Sequence, residues 1–266
     1  MTGAPGSLHV RTTGSDGGEE VLLLHSLFFD GSMFEELAGL LGDRHHCLAP
    51  DHRGQGASPD GPLGLEELAA DAAALVEDRC SGPVHLVGSS MGGYVGTHLA
   101  ATRPELVRTC ALLGGTADAE LDPAYFAALE AAIREGIDDD VVTRIEYTMF
   151  GDGHLSRPVD DPVRSRWRRR FAALRPRVAD AAHAVFTRDP LHEAFAAVRA
   201  PVLLIAGESD HAKPPEHMAR MAAAKPGARL AVLPGVGHTP AVEAPREVAR
   251  LLAEHWSRDA IPVPHP

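Results

Sequence analysis

Six short apolar runs recur along the chain: VLLLHS from Val21, HHCLAP from His45, VHLVGS from Val84, TCALLGG from Thr109, VLLIAG from Val202 and LAVLPG from Leu230. Runs this short and this continuously apolar are those of strands buried on both faces. Helical periodicity fills the gaps between them. Leu65, Leu68, Ala72 and Val76 fall on one face of a helix over 65–77, and 93–101 and 248–256 supply two more. Strands separated by helices predict an α/β fold, with a mostly parallel central sheet and helices on both faces. A chain of 266 residues, 44% hydrophobic, can bury one substantial core.

The rhythm breaks once. After Gly115 no strand-like run appears until Val202, a gap too long to lack structure of its own. Asp122-Pro123 and Asp161-Pro162 have the form of an N-cap followed by proline at the first helical position, and Gly136 and Gly151 are read as helix stops. Phe126, Leu129 and Ile133, then Val141, Ile145 and Met149, then Val163, Trp167, Phe171 and Leu174 give three helices one apolar face each. The expected organisation is a core built from 1–115 and 199–266, with an inserted helical cap over 116–198. The proline- or glycine-rich ends, MTGAPG and IPVPHP, are expected to be mobile.

The formal net charge of −12 opposes nucleic acid and anionic membrane, so a small-molecule substrate is the expected partner. No run of about 18 apolar residues offers a membrane span. The opening residues lack the basic and apolar segments of a secretory signal, which reads as a cytoplasmic protein of undetermined oligomeric state. Cys47, Cys80 and Cys110 are odd in number and far apart, as expected of unpaired thiols. No histidine or cysteine cluster has zinc spacing and no G-x-G-x-x-G follows a strand, so neither metal nor cofactor is expected.

The chemistry concentrates in VHLVGSSMGGYVG, where two serines follow an apolar strand. A nucleophile elbow is a sharp strand-to-helix turn whose crowding requires small residues two positions before and after the exposed side chain. Centred on Ser90 the flanks are Gly88 and Gly92; centred on Ser89 they are Val87 and Met91, which the turn could not hold. Ser90 is the candidate nucleophile. A serine hydroxyl needs a base, and the base an orienting acid, which in such a fold follow in the order serine, acid, histidine from loops at strand ends. VLLIAGESD delivers Asp210 and LAVLPGVGH delivers His238. Asp118, after TCALLGG, occupies another loop from which an acid can reach such a histidine and stays as the rival to Asp210. The other histidines considered, His98, His183, His192 and His211, are assigned structural or surface roles. A tetrahedral oxyanion needs two backbone donors, and position points to the amides of Met91 and Leu27. Phe28 and Phe29, expected to be exposed in the Leu27 loop, and Trp167 of the cap are the candidate substrate contacts; for the two phenylalanines, simple packing under the cap is an equal alternative.

With these residues placed, the chain resembles the α/β-hydrolase family with a helical cap, and more narrowly its 3-oxoadipate enol-lactonase-like branch. The likeness is carried by HSLFFDGSMF, APDHRGQGAS, VGSSMGGYVG, AGESD and GVGH. Many relatives have His-Gly where this chain has His25-Ser26, and serine there favours the enol-lactonase-like branch. The resemblance implies a serine hydrolase cleaving a carboxylic ester or lactone through an acyl-enzyme. A cofactor-free perhydrolase or haloperoxidase-type enzyme, and a non-catalytic small-ligand-binding protein of the same fold, are the alternatives. It implies no catalytic role for DHRGQGAS, whose arginine and glycines are read as shaping a turn. Finally, residues 155–178 hold eight arginines against two aspartates. Either this is a solvated, salt-bridged face, or one of Arg164, Arg168 and Arg175 reaches the cleft to hold a substrate carboxylate.

Overall fold

The computed structural model describes residues 8–259; the two terminal segments discussed above lie outside them. Seven strands form one sheet in the order β1-β3-β2-β4-β5-β6-β7. The strands are β1 (Val10–Gly14), β2 (Glu19–Leu24), β3 (His45–Pro50), β4 (Val84–Ser89), β5 (Val107–Leu113), β6 (Val202–Gly207) and β7 (Arg229–Leu233). Only the β1–β3 pair is antiparallel. The strand β1 escapes sequence reading because VRTTG is a mostly exposed edge strand with no apolar run to betray it.

Period two along the strands sorts their side chains onto two faces. Val21 and Leu23 of β2 join one apolar cluster with α1 (Glu35–Leu41) and α12 (Pro245–Asp259). Leu22 and Leu24 join the other, with α2 (Leu65–Arg79), α3 (Met91–Thr102) and α10 (Pro215–Ala224). Cys47 and Cys110 are buried in these two layers, and burial pushes both thiols up to about 12, which removes the reactive thiolate.

Between β5 and β6 the described chain is helical: α4 (Pro123–Glu135), α5 (Asp139–Met149), α6 (Asp152–Leu155), α7 (Pro162–Ala172), α8 (Val178–Phe186) and α9 (His192–Ala197). The Asp122 carboxylate accepts from the Tyr125 N–H, and that of Asp161 from Val163 and Arg164, as the N-cap signatures predict. Two details differ from expectation. Gly151 opens α6 instead of closing α5, and Val163 is 47% exposed, leaving Trp167 and Phe171 to bury the face of α7. The buried residues of this insertion pack into the same cluster as α1 and α12, so it rests on the core through Phe126, Ile145, Phe150, Trp167 and Phe171.

Candidate active site

The loops that carry the candidate residues all leave the C-terminal ends of parallel strands, where an open α/β sheet places its ligand crevice. After β4 the chain turns abruptly: Ser90 has φ 47° and ψ −111°, and α3 starts at the next residue. This conformation is strained for an L residue and persists only where the surroundings impose it. Here they do. A side chain on Gly88 would put its Cβ 2.4 Å from the Gly92 carbonyl oxygen, and one on Gly92 would come 2.0 Å from that of Leu24. Strand, helix and the neighbouring β2 therefore meet at van der Waals distance, and only glycine fits. Ser89 is wholly buried, and its hydroxyl has no hydrogen-bond partner among the described residues.

Ser90 Oγ lies 2.7 Å from His238 Nε2, and His238 Nδ1 lies 2.8 Å from Asp210 Oδ2. The other Asp210 oxygen accepts from the backbone N–H groups of Ala212 and Lys213 at 2.9 and 2.8 Å. An ionised carboxylate can only accept, so the His238 proton sits on Nδ1 and the Nε2 lone pair faces the serine hydroxyl. Ser90, Asp210 and His238 are 5%, 4% and 2% exposed, which keeps competing water from their hydrogen bonds. This geometry can move the serine proton to the imidazole as Oγ attacks a carbonyl carbon.

The rival acid is occupied elsewhere. Asp118 bonds His217 at 2.7 Å, Arg220 at 2.9 Å and Thr116 at 3.2 Å. Burial pushes its carboxyl up, but these partners outweigh that and hold it at about 2. His192 also pairs with Asp118, His183 with Glu130, and His211 stacks on Tyr147 and meets Asp152, away from Ser90.

Neither the Leu27 nor the Met91 backbone N–H has an acceptor among the described residues. The Leu27 loop is held by groups that sequence reading passed over. His25 Nδ1 donates to the Ser26 carbonyl at 2.8 Å, and its Nε2 accepts from the His52 N–H at 2.9 Å. Complete burial lowers the His25 pKa, which keeps the ring neutral as the acceptor role demands. Phe28 then takes φ 70°. With Ser90, it is one of two non-glycine residues with positive φ among those described, so both strained residues flank the site.

Phe28 and Phe29 are 2% and 4% exposed, contrary to the expectation of an exposed loop, because the insertion covers them. The Phe29 ring lies 5.0 Å from Trp167 and 5.4 Å from Phe171. Phe28, Phe29 and Trp167 line one cavity of about 240 Å³, together with Gln55, Arg170 and Arg175. Ser90 is not part of its lining, but Gln55 Nε2 donates to the Met91 Sδ at 3.6 Å, so the cavity abuts the elbow.

The arginines separate into two groups. Arg164 grips the buried Glu146 with two nitrogens at 2.9 and 3.0 Å, and Arg168 reaches the same carboxylate at 2.8 Å. Neither is available to a ligand, which corrects the expectation for these two. The reason is tertiary: Glu146, from α5, is 0% exposed and an unpaired buried charge there would be costly. Arg175 lines the cavity and has no carboxylate partner among the described residues. Two further supports had no sequence signal. The Glu243 carboxylate accepts from Gly237, Thr239 and Gly151, tying the His238 loop to the insertion. Lys213 pairs with Glu120 in a bridge that is 4% exposed on both sides, beside the Asp210 turn. Among the described residues, no group of three or more His, Cys, Asp or Glu is arranged to hold a metal ion, and no helix is long and apolar enough to cross a membrane.

Comparison with known proteins agrees with this architecture. The chain is 30% identical over 243 residues to 2-(acetamidomethylene)succinate hydrolase of Mesorhizobium japonicum, covering 87% of this chain and 85% of the relative. Among solved structures it is similar to a malate-bound thermophilic esterase from Thermogutta terrifontis, with TM-score 0.85, 26% identity and coverage of 96% and 94% of the two chains. The enol-lactonase from Burkholderia xenovorans LB400 shares the fold at TM-score 0.83 and 24% identity, over 94% and 96% of the two chains. The profile of the alpha/beta hydrolase family matches residues 21–251, and the chain belongs to that family.

Proposed function

We propose that this protein is a serine hydrolase that cleaves a carboxylic ester or lactone of a small molecule through an acyl-enzyme intermediate. The observation that carries the reading is the continuous hydrogen-bonded series from Ser90 Oγ through His238 to Asp210, at 2.7 and 2.8 Å. Ser90 attacks the carbonyl carbon, His238 takes its proton and returns it to the leaving oxygen, and Asp210 orients the ring and supports its cation. The Leu27 and Met91 N–H groups receive the oxyanion. Water, activated by the same imidazole, then releases the acid. The helices over 116–198 act as a cap that supplies the substrate walls, with Phe28, Phe29 and Trp167 as apolar contacts. The partner is a small molecule, not nucleic acid or membrane, and the setting is cytoplasmic.

The substrate carries a carboxylate that Arg175 meets at the cavity. That refinement is supported by the free guanidinium and by relatives whose names include a succinate derivative and bound malate. Aryl ester and lactone turnover by the purified protein, with Ser90→Ala as the blank, tests the reading. Equal turnover by both proteins would overturn it.

A further inference from the structure

The turn that follows β3 does more than connect. Asp51 is fully buried and its carboxylate accepts from Gly31 at 2.8 Å and Ala57 at 2.8 Å, so it gathers the Leu27 loop and the GQGA turn around one charge. A Cβ on Gly56 would lie 2.2 Å from an Asp51 oxygen, and Gly56 has φ 53°, so the turn admits no side chain there. Backbone bonds from Gly54 to Pro59, Gln55 to His52 and Ser58 to Gln55 close the loop. Between two glycines, one side chain is presented to the cavity: Gln55, 5% exposed.

Its amide is half used. The Met91 sulfur has no proton to give, so the end of the amide that faces it is the NH₂, at 3.6 Å. The Oε1 end is buried and has no hydrogen-bond partner among the described residues. A buried amide oxygen left unpaired is costly, and it is a ready acceptor wherever a ligand brings a donor. Met91 is also the residue whose N–H is proposed to receive the oxyanion, so the Gln55 amide is in contact with a side chain of the elbow.

We propose that Gln55 is a specificity-determining residue of the cavity, selecting substrates that carry a hydroxyl or amide N–H close to the scissile carbonyl by accepting a hydrogen bond at Oε1. This rests on the hydrolase reading above and narrows it to esters or lactones of hydroxy or amido acids. A substrate lacking the donor leaves Oε1 buried and unpaired, and that asymmetry produces the discrimination.

The test compares 4-nitrophenyl 2- and 3-hydroxybutanoate with 4-nitrophenyl butanoate. One of the hydroxy esters is preferred by wild type by about 5- to 100-fold in kcat/KM, and in Gln55→Leu the ratio falls to about one. A ratio near one in wild type, or a Gln55→Leu protein that slows both substrates equally, overturns the proposal, the latter because Gln55 would then only pack against Met91. A readout without turnover separates this from the hydrolase reading: calorimetric binding of malate and of succinate to wild type and to Gln55→Leu. Malate binds more tightly than succinate in wild type only, by a similar factor. Equal affinities, or no binding of malate, overturn the role of Gln55. Preference for malate in a protein that hydrolyses no ester leaves Gln55 as a selector and sinks the hydrolase reading alone.

Discussion

The strand-end loops and the helical insertion are both tightly built, but from different materials. At the strand ends, position is set by backbone: glycine contacts under 2.5 Å from a would-be Cβ, two strained residues, and N–H groups converging on Asp51, Asp210 and Glu243. In the insertion, position is set by side chains, with arginines from α7 closing on one buried glutamate of α5. Backbone-built sites tolerate little variation, because every contact depends on chain path. Side-chain-built ones can be exchanged without moving the sheet. The difference teaches how each region is held in place: the strand-end loops by chain path, the insertion by charge pairs between its helices.

The largest effect should fall on the backbone-built half. Ser90→Ala is expected to lower ester turnover by about 10⁴-fold or more while the protein keeps its circular dichroism spectrum. Ser89→Ala, one residue away but facing the interior, should keep most of the activity. The opposite pattern would break the assignment of the elbow.

Next is the orienting acid. Asp210→Asn should reduce kcat by about 10³–10⁴-fold, since the amide cannot both accept from Nδ1–H and support the imidazolium. Asp118→Asn should change kcat little, because its bonds run to His217 and Arg220. Steady-state kinetics on the pair sharpens the comparison between two acids that lie at neighbouring strand ends.

The insertion should respond through stability. Burial pushes the Glu146 carboxyl up, yet His154, Arg164 and Arg168 more than compensate and hold it at about 2 against an ordinary 4.5. A carboxyl lowered on folding stabilises above its unfolded value, so this contribution is complete above about pH 4.5 and is lost as pH falls toward 2. Glu146→Gln should destabilise the neutral protein by about 3–5 kcal/mol, because Arg164 and Arg168 lose their counter-charge. Its melting temperature should then vary less with pH between 4.5 and 2 than that of wild type. Identical acid profiles would show that the insertion is not held by this cluster.

The smallest effect concerns Arg175. With an ester bearing a free carboxylate and its methyl-capped analogue, Arg175→Ala should lose about tenfold in kcat/KM on the charged substrate alone. Arg164→Ala and Arg168→Ala should instead lower the melting temperature and leave the ratio of the two substrates unchanged. Equal loss on both substrates from Arg175→Ala would remove the carboxylate from the proposed function.

Short-range physics made much of this legible. Short continuous apolar runs mark strands, and the six runs correspond to β2 through β7, although β7 at the sheet edge is only partly buried. The elbow could be read from Gly88 and Gly92 because its crowding is local, and Asp210 and His238 because each follows a strand in the serine, acid, histidine order that the resembled fold implies. Aspartate before proline marked α4 and α7 for the same reason: a cap bonds within three residues. The tertiary structure decided the remainder, where the deciding partner is remote in sequence. Of three candidate arginines, two are consumed by Glu146, about twenty residues away on another helix. Phe29 is buried because Trp167 and Phe171 of α7 pack against its ring. Gln55 became a candidate only when its amide nitrogen met Met91, 36 residues on, and its oxygen found no hydrogen-bond partner among the described residues. Hydrophobic periodicity carries no record of which charge a charge will meet; that depends on distances that exist only after the chain has packed.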